Sequence, residues 1–261
     1  SSVNIALYTN GIGLTKLSKT EQGVLVKSLN RIRVSMDASN ADDWAFYKGR
    51  DAKLFQQIWI ALSNLKTLRD QLGTEVKLGA GCLVSSSCED RKIMDFIDIA
   101  SQFGLDFCDV KYLFESDGTK SAYRASSSNF IEIVDEIMQA KETKKYGDMH
   151  IGLDDNFVID WYASKMGLEN YDIIAARRCW MARVGRKVTI GPYGGIYPCS
   201  DAANPGVLKV LNAEPRMAVI TNFENEQVIQ NQFSAFWQRS RSKRDSFDPP
   251  THNYCVPSNS G

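Results

Sequence analysis

The chain has 261 residues and a mass of 29.2 kDa, enough to bury a large core in one domain with or without a small appendage. Lys and Arg number 31 and Asp and Glu 31, so the formal charge is zero and the field that drives non-specific binding to nucleic acid or anionic lipid is missing. At 43% hydrophobic and 24% charged residues, with no apolar run of about 18 residues, the composition excludes a disordered, fibrous or helix-spanned membrane protein. Ser1 to Tyr8 lacks a basic region and an initiator Met and enters a strand at once, which is expected of a fragment or a processed start rather than a signal peptide. Six cysteines are too few and too irregularly spaced for a disulfide scaffold, so a reduced, cytoplasmic chain is expected.

In chain order, Val3 to Tyr8 is rich in β-formers and stops at Thr9-Asn10-Gly11, a turn signal. Leu25 to Leu29 reads as the end of a short helix, and Arg31 to Asp37 as a second strand with a polar end. From Asp51 to Leu72, Leu54, Ile58, Leu62, Leu65 and Leu68 recur at three- and four-residue steps, the period of an amphipathic helix. A third strand is expected from Val76 to Val84, a helix from Arg91 to Phe103, and a fourth strand from Phe107 to Phe114. Strand and helix in alternation predict a parallel sheet with right-handed crossovers. The polar strand ends Thr9-Asn10-Gly11, Ser35-Met36-Asp37 and Ser85-Ser86-Ser87 then face one rim, where such sheets gather ligands. Ser116 to Asn129 reads as a loop, Phe130 to Lys145 as a helix and Met149 to Leu153 as a strand. The architecture changes near residue 165, giving two expected domains, 1–165 and 166–261. Lys187 to Pro198 reads as a β-hairpin turning at Pro192 to Gly195, and Asn225 to Lys243 as a helix before an irregular tail.

Cys179 and Cys199 bracket that hairpin, and Gly194 lies between them. Antiparallel strands lie about 4.8 Å apart, so the two thiols at the hairpin ends are able to approach each other. With a distant Cys or His, two thiolates hold zinc or an iron–sulfur cluster, although the same pair also suits structural thiols. The polar strand ends that carry Asn10, Ser35 and Asp37 suit the binding of a polar small molecule. They equally serve as turn formers and loop caps. Arg50 and, more weakly, Arg124 are candidates to meet a carboxylate, or are solvated loop charges. Trp44, Phe46 and Tyr47 either line a pocket or pack as core and lid.

The Thr-Asn-Gly strand end, the Arg-Val-Ser-Met-Asp-Ala strand end and the Cys179, Gly194, Cys199 hairpin with Tyr197-Pro198-Cys199 occur in an order that resembles radical S-adenosylmethionine enzymes carrying a SPASM or Twitch extension. The resemblance runs from Val3 to about Cys255. It implies an α/β fold, a partial (β/α)6 TIM-like barrel from about the third strand onward, with a small C-terminal hairpin-containing domain. It also implies S-adenosylmethionine and a [4Fe–4S] cluster as cofactors. Asn10 would lie beside S-adenosylmethionine, Ser35 would bond its ribose or amino-acid part, and Asp37 would shape the same pocket, with Arg50 as a further contact. Cys179, Cys199 and Cys255 would hold one auxiliary cluster, the fourth position being His252, an open site for substrate, or a cysteine beyond Gly261. Cys82, Cys88 and Cys108 read as buried thiols, Cys88 with the alternative of a hydrogen-atom donor to a substrate radical. His150 reads as a structural or surface histidine.

The chain departs from that family in having no Cys-x-x-x-Cys-x-x-Cys loop, which holds the cleavage cluster, and no Gly-Gly-Glu strand end. Both would precede Ser1 in family order, so the chain is expected to lack the first two β/α units and to be inactive alone. The expected activity of the whole is hydrogen abstraction from a peptide or small molecule through a 5′-deoxyadenosyl radical. A flavodoxin or ferredoxin would supply the electron, with no nucleic-acid or membrane partner. The other readings are a catalytically degenerate barrel and a zinc-binding Cys3His structural or interaction protein.

Overall fold

The computed structural model describes residues 4–84, 90–112, 129–167, 189–190, 195–197, 218–219, 221–222 and 224–242. The chain divides into two compact units, residues 1–113 with 121–169, and residues 114–120 with 170–261.

The first unit alternates strand and helix: β1 (Ala6–Thr9), a single 3₁₀ turn (Leu14–Lys16), α1 (Lys19–Ser28), β2 (Arg31–Ser35), α2 (Ala41–Lys48), α3 (Lys53–Leu72), β3 (Lys77–Val84), α4 (Asp90–Gln102), β4 (Phe107–Tyr112), α5 (Phe130–Glu142), β5 (His150–Leu153) and α6 (Asp155–Lys165). The strands form one five-stranded sheet in the order β1-β2-β3-β4-β5, and every pair is parallel. This is the expected partial TIM-like arrangement, and it brings all five strand C-termini to one rim. Two helices were not anticipated from sequence. α2 is only eight residues long, and α6 carries Phe157, Val158, Trp161, Tyr162 and Ala163 nearly all around its axis, so neither shows a clean apolar stripe.

Local chemistry sets the helix ends. Ser18 and Glu21 form a capping box at the start of α1, each side chain accepting from the other's backbone N–H. Asn40 caps α2 by accepting from the Asp43 N–H at 2.9 Å. At the sheet's other end, the Asp106 carboxylate accepts from the Leu78 N–H (2.7 Å) and from Arg69 of α3 (2.5 Å), tying the starts of β3 and β4 to that helix.

The core lies on one face of the sheet. Ile32 and Val34 of β2 with Met36 just after it, Leu78, Ala80, Cys82 and Val84 of β3, Cys108 and Val110 of β4 and Ile151 of β5 are buried there with residues of α3, α4, α5 and α6. Each fully buried aliphatic side chain is worth roughly 1.5–3 kcal/mol. Trp59 of α3 stacks on Phe103 at 5.0 Å and meets Phe96 of α4 at 6.2 Å. Asp43 of α2 pairs with Lys92 of α4 at 2.8 Å, so α2 is fixed to the layer although short.

The second unit contains a three-stranded antiparallel sheet in the order β6 (Thr189–Ile190), β7 (Gly195–Tyr197), β8 (Ala218–Val219), and the helix α7 (Glu226–Ser242). Thr189 pairs with Tyr197 and Ile190 with Ile196, the antiparallel pairing expected of the hairpin, and β8 adds a strand not anticipated from sequence. No helix among the described residues is long and apolar enough to cross a membrane.

Gly11 closes the turn after β1 at φ +81°, and a Cβ there would lie 2.6 Å from Ile58 Cγ2 and 2.7 Å from Val34 Cγ1. Gly11→Ala therefore meets both an unfavourable backbone and a full core. It is expected to lower the unfolding free energy by roughly 1–3 kcal/mol, measured by urea titration; a loss below about 0.5 kcal/mol, the scale of ordinary surface changes, would show that the turn is not constrained in this way. The hydrogen bond from Lys92 holds the Asp43 carboxyl below its ordinary value of 3.8. A depressed folded-state value means that the pair stabilises fully above that pH and ceases to as pH falls through the lower folded value. Asp43→Asn should accordingly flatten the acid limb of the stability profile below about pH 4; superimposable acid limbs would refute the contribution.

Candidate functional site

β2 leaves the sheet three residues before β3 does, and the rim is built at that step. Met36 N–H and Asp37 N–H both donate to Gly81 O, at 3.0 and 3.1 Å, and Asp37 then turns away at φ +60°. The Leu83 N–H would be orphaned as the ladder ends; the Asp37 carboxylate accepts it at 3.0 Å and is also ion-paired with Lys48 of α2. Asp37 thus fixes the rim through committed bonds to β3 and α2. Asn10, at the end of β1, is exposed, and its Oδ1 accepts from the Ile12 N–H at 3.1 Å, leaving Nδ2 with no partner among the described residues. Ser35 is half-buried at the end of β2, next to the same step. Arg50 is exposed just beyond the C-cap of α2, and its guanidinium has no partner among the described residues.

Below the rim, the sheet face opposite the core carries a cluster that sequence reasoning did not single out. Alternation along β2 sends Ile32, Val34 and Met36 to the core and Arg31, Arg33 and Ser35 to the other face. Register sets Arg33 beside Gly79 and Ser35 beside Gly81, with Phe107 and then Asp109 on the next strand and Gly152 beyond. The glycines make room for long polar groups. A Cβ on Gly81 would fall within the Arg33 guanidinium, one on Gly79 within the Phe107 ring, and one on Gly152 only 2.5 Å from the Asp109 carboxylate.

Both arginines converge on that carboxylate. Arg31 Nη2 donates to Asp109 Oδ2 at 3.2 Å while its guanidinium lies 3.5 Å from the Phe107 ring centre, a cation–π contact. Arg33 Nε is 3.1 Å from the same oxygen and its guanidinium is 5.8 Å from the Tyr8 ring. The cluster is unevenly satisfied, because Arg33 Nε and Nη2 and Arg31 Nε are buried without a hydrogen bond. The Arg33 side chain is 9% exposed. One signal for the cluster is present in the sequence: charges at alternating positions of β2 facing a Gly-x-Gly stretch in β3.

The described cysteines take no part. Cys82 and Cys108 are buried in the apolar layer, and burial, then the neighbouring Asp109 charge, push the Cys108 thiol above its ordinary value, so it stays protonated. His150 is exposed at the start of β5, the end away from the rim. Of the aromatic trio, Trp44 is fully buried in the core, whereas Phe46 is 81% exposed and touches Tyr47 edge-on. Cys88, Arg124, Cys179, Cys199, His252 and Cys255 lie outside the described residues. Among the described residues, no three His, Cys, Asp or Glu side chains are placed to hold a metal ion.

No protein-family model matches the sequence, and no curated protein matches it. Solved structures match the fold. Streptococcus suis SuiB superposes with a TM-score of 0.55 at 12% identity over 92% of this chain and 51% of its own. SuiB bound to S-adenosylmethionine gives 0.57 at 14% identity over 92% and 50%. SuiB bound to its precursor peptide SuiA gives 0.50 at 13% identity over 76% and 42%. The chain therefore spans about half the length of SuiB and shares its fold over that span.

Proposed function

We propose that this chain is part of a radical S-adenosylmethionine enzyme that modifies a peptide. The observation that carries the reading is a parallel sheet whose strand ends present Asn10 and Ser35 at one rim, in a fold shared over 92% of the chain with SuiB, which binds S-adenosylmethionine and a precursor peptide. The residues present fit the cofactor: Ser35 supplies a hydroxyl for the ribose or aminoacyl part, Asn10 an amide donor with no partner among the described residues, and Arg50 an exposed cation just after α2. Asp37 acts by positioning Leu83 and Lys48 rather than by offering its own carboxylate, which is already engaged. The chemistry that S-adenosylmethionine would supply, held there beside a reduced cluster, is removal of a hydrogen atom from the substrate by a 5′-deoxyadenosyl radical. The task left to these side chains is to hold the cofactor and keep substrate at the rim.

The second unit is proposed to hold one auxiliary [4Fe–4S] cluster through Cys179, Cys199 and Cys255, with His252, substrate or a further cysteine as fourth ligand, and a flavodoxin or ferredoxin as electron donor. The antiparallel pairing of β6 with β7 supports this, since Cys199 follows β7 by two residues.

Two measurements on the full-length gene product test the reading. After anaerobic purification, iron and acid-labile sulfide are expected with a brown chromophore, and Cys179→Ala with Cys199→Ala should remove part of both; colourless protein with stoichiometric zinc would favour the structural zinc reading instead. Ser35→Ala should weaken S-adenosylmethionine binding roughly 3–10-fold by equilibrium dialysis, the worth of one hydrogen bond. Failure of the unsubstituted protein to retain S-adenosylmethionine would overturn the cofactor assignment.

A further inference from the structure

The polar face of the sheet carries a charged cluster that the rim does not use. Among the described residues Arg31 and Arg33 share a single carboxylate, Asp109, so two positive charges there meet one negative, and Lys111, two residues beyond Asp109 on the same face, adds an exposed one toward the rim. A buried charged donor without a hydrogen bond is costly, yet in the nine-tenths buried Arg33 side chain Nη2 makes none, and Nε lies 3.1 Å from Asp109 Oδ2 without completing one. Three glycines, at positions 79, 81 and 152, hold the surrounding face open for the cluster where any side chain would collide with it. A pair of strands that needed only a tie would be joined by one arginine on one carboxylate.

We propose that Arg33 and Arg31 form a carboxylate-binding subsite on this face, with Asp109 orienting both guanidiniums and the Phe107 and Tyr8 rings walling it. The guanidinium fork suits a planar two-oxygen anion, and aromatic walls favour a carboxylate borne on an organic ligand over a fully hydrated inorganic ion. An acidic side chain or free C-terminus of a peptide provides that group. The subsite stands on the sheet geometry alone; only the choice of a peptide as bearer rests on the proposed function.

The test is a calorimetric titration of the full-length gene product, with and without iron, using three probes. These are an acetylated tripeptide amide with a central glutamate, its glutamine counterpart, and that glutamine peptide with a free C-terminal carboxylate. At least one carboxylate probe should bind tenfold or more tightly than its neutral counterpart, and Arg33→Met should abolish that preference while added salt weakens it. Selectivity confined to the glutamate peptide or to the free C-terminus identifies the bearer, and either supports the subsite. Arg31→Met, which leaves Arg33 on Asp109, gives a second reading should Arg33→Met fail to fold, and is expected to reduce the same preference. Equal binding of charged and neutral probes, or a preference untouched by both variants, would overturn the proposal and leave the cluster as a structural tie. Because peptide binding is read without turnover, loss of the radical reading would not alter this result.

Discussion

The register between β2 and β3 is the constraint on which the rest of the first unit depends. It sets Arg33 beside Gly79 and Ser35 beside Gly81, and at the same time Ile32 beside Leu78 and Val34 beside Ala80. A slip of one residue would turn two guanidiniums into the layer occupied by Trp59, Leu62 and Ile93 and expel three aliphatic side chains from it, a penalty of several kcal/mol at the least. The apolar side of β2 thus fixes the register, and the register in turn fixes where its polar side can act. Asp37 ends the arrangement by taking over the Leu83 N–H where the ladder stops, so the loop that begins the rim leaves from one defined point.

The same division explains what the sequence made legible. The alternation of β-rich runs with the Leu54 to Leu68 stripe is a short-range pattern, and from it follow the parallel sheet, its rim and the position of Asn10, Ser35 and Asp37 at strand ends. α2 escaped because eight residues give barely two turns, although Asn40 followed by Asp42 and Asp43 is a start signal with acidic residues at the helix N-terminus. α6 escaped because its apolar residues surround the axis rather than marking one side. Asp109 could not be matched to Arg31 from sequence, since 78 residues separate them and only the β3 strand lying between brings them into one row. The resemblance that the strand ends carried concerned a rim; the charged cluster lies below it, on a face that the spacing of motifs does not describe.

Where a polar side chain sits was more legible than what it does there. Asp37 and Asn10 both sit where expected, but they differ in what remains of their bonding capacity. Both oxygens of Asp37 are engaged, one by Leu83 and one by Lys48, so its chemistry is spent on the loop. Asn10 uses only its oxygen, for a local turn, and keeps its amide. Counting what each group has left, rather than its type, separates the residues that build the rim from those with capacity to meet a ligand.

The same count, applied to the inner cluster, bears on why the face is charged at all. Replacing a buried ion pair with apolar residues of similar volume is often neutral or stabilising, so stability alone gives little reason to keep two arginines on one aspartate. The core on the far side of the sheet is already continuous from Leu14 to Phe157 and does not need the cluster to cohere. What the arginines add is a fixed, partly unsatisfied positive group on a rigid strand, with its rotamer held by Asp109 and by the absence of side chains at positions 79, 81 and 152. A charge that is preorganised in this way loses little freedom when an anion arrives, which is the property that separates a receptor from a surface arginine.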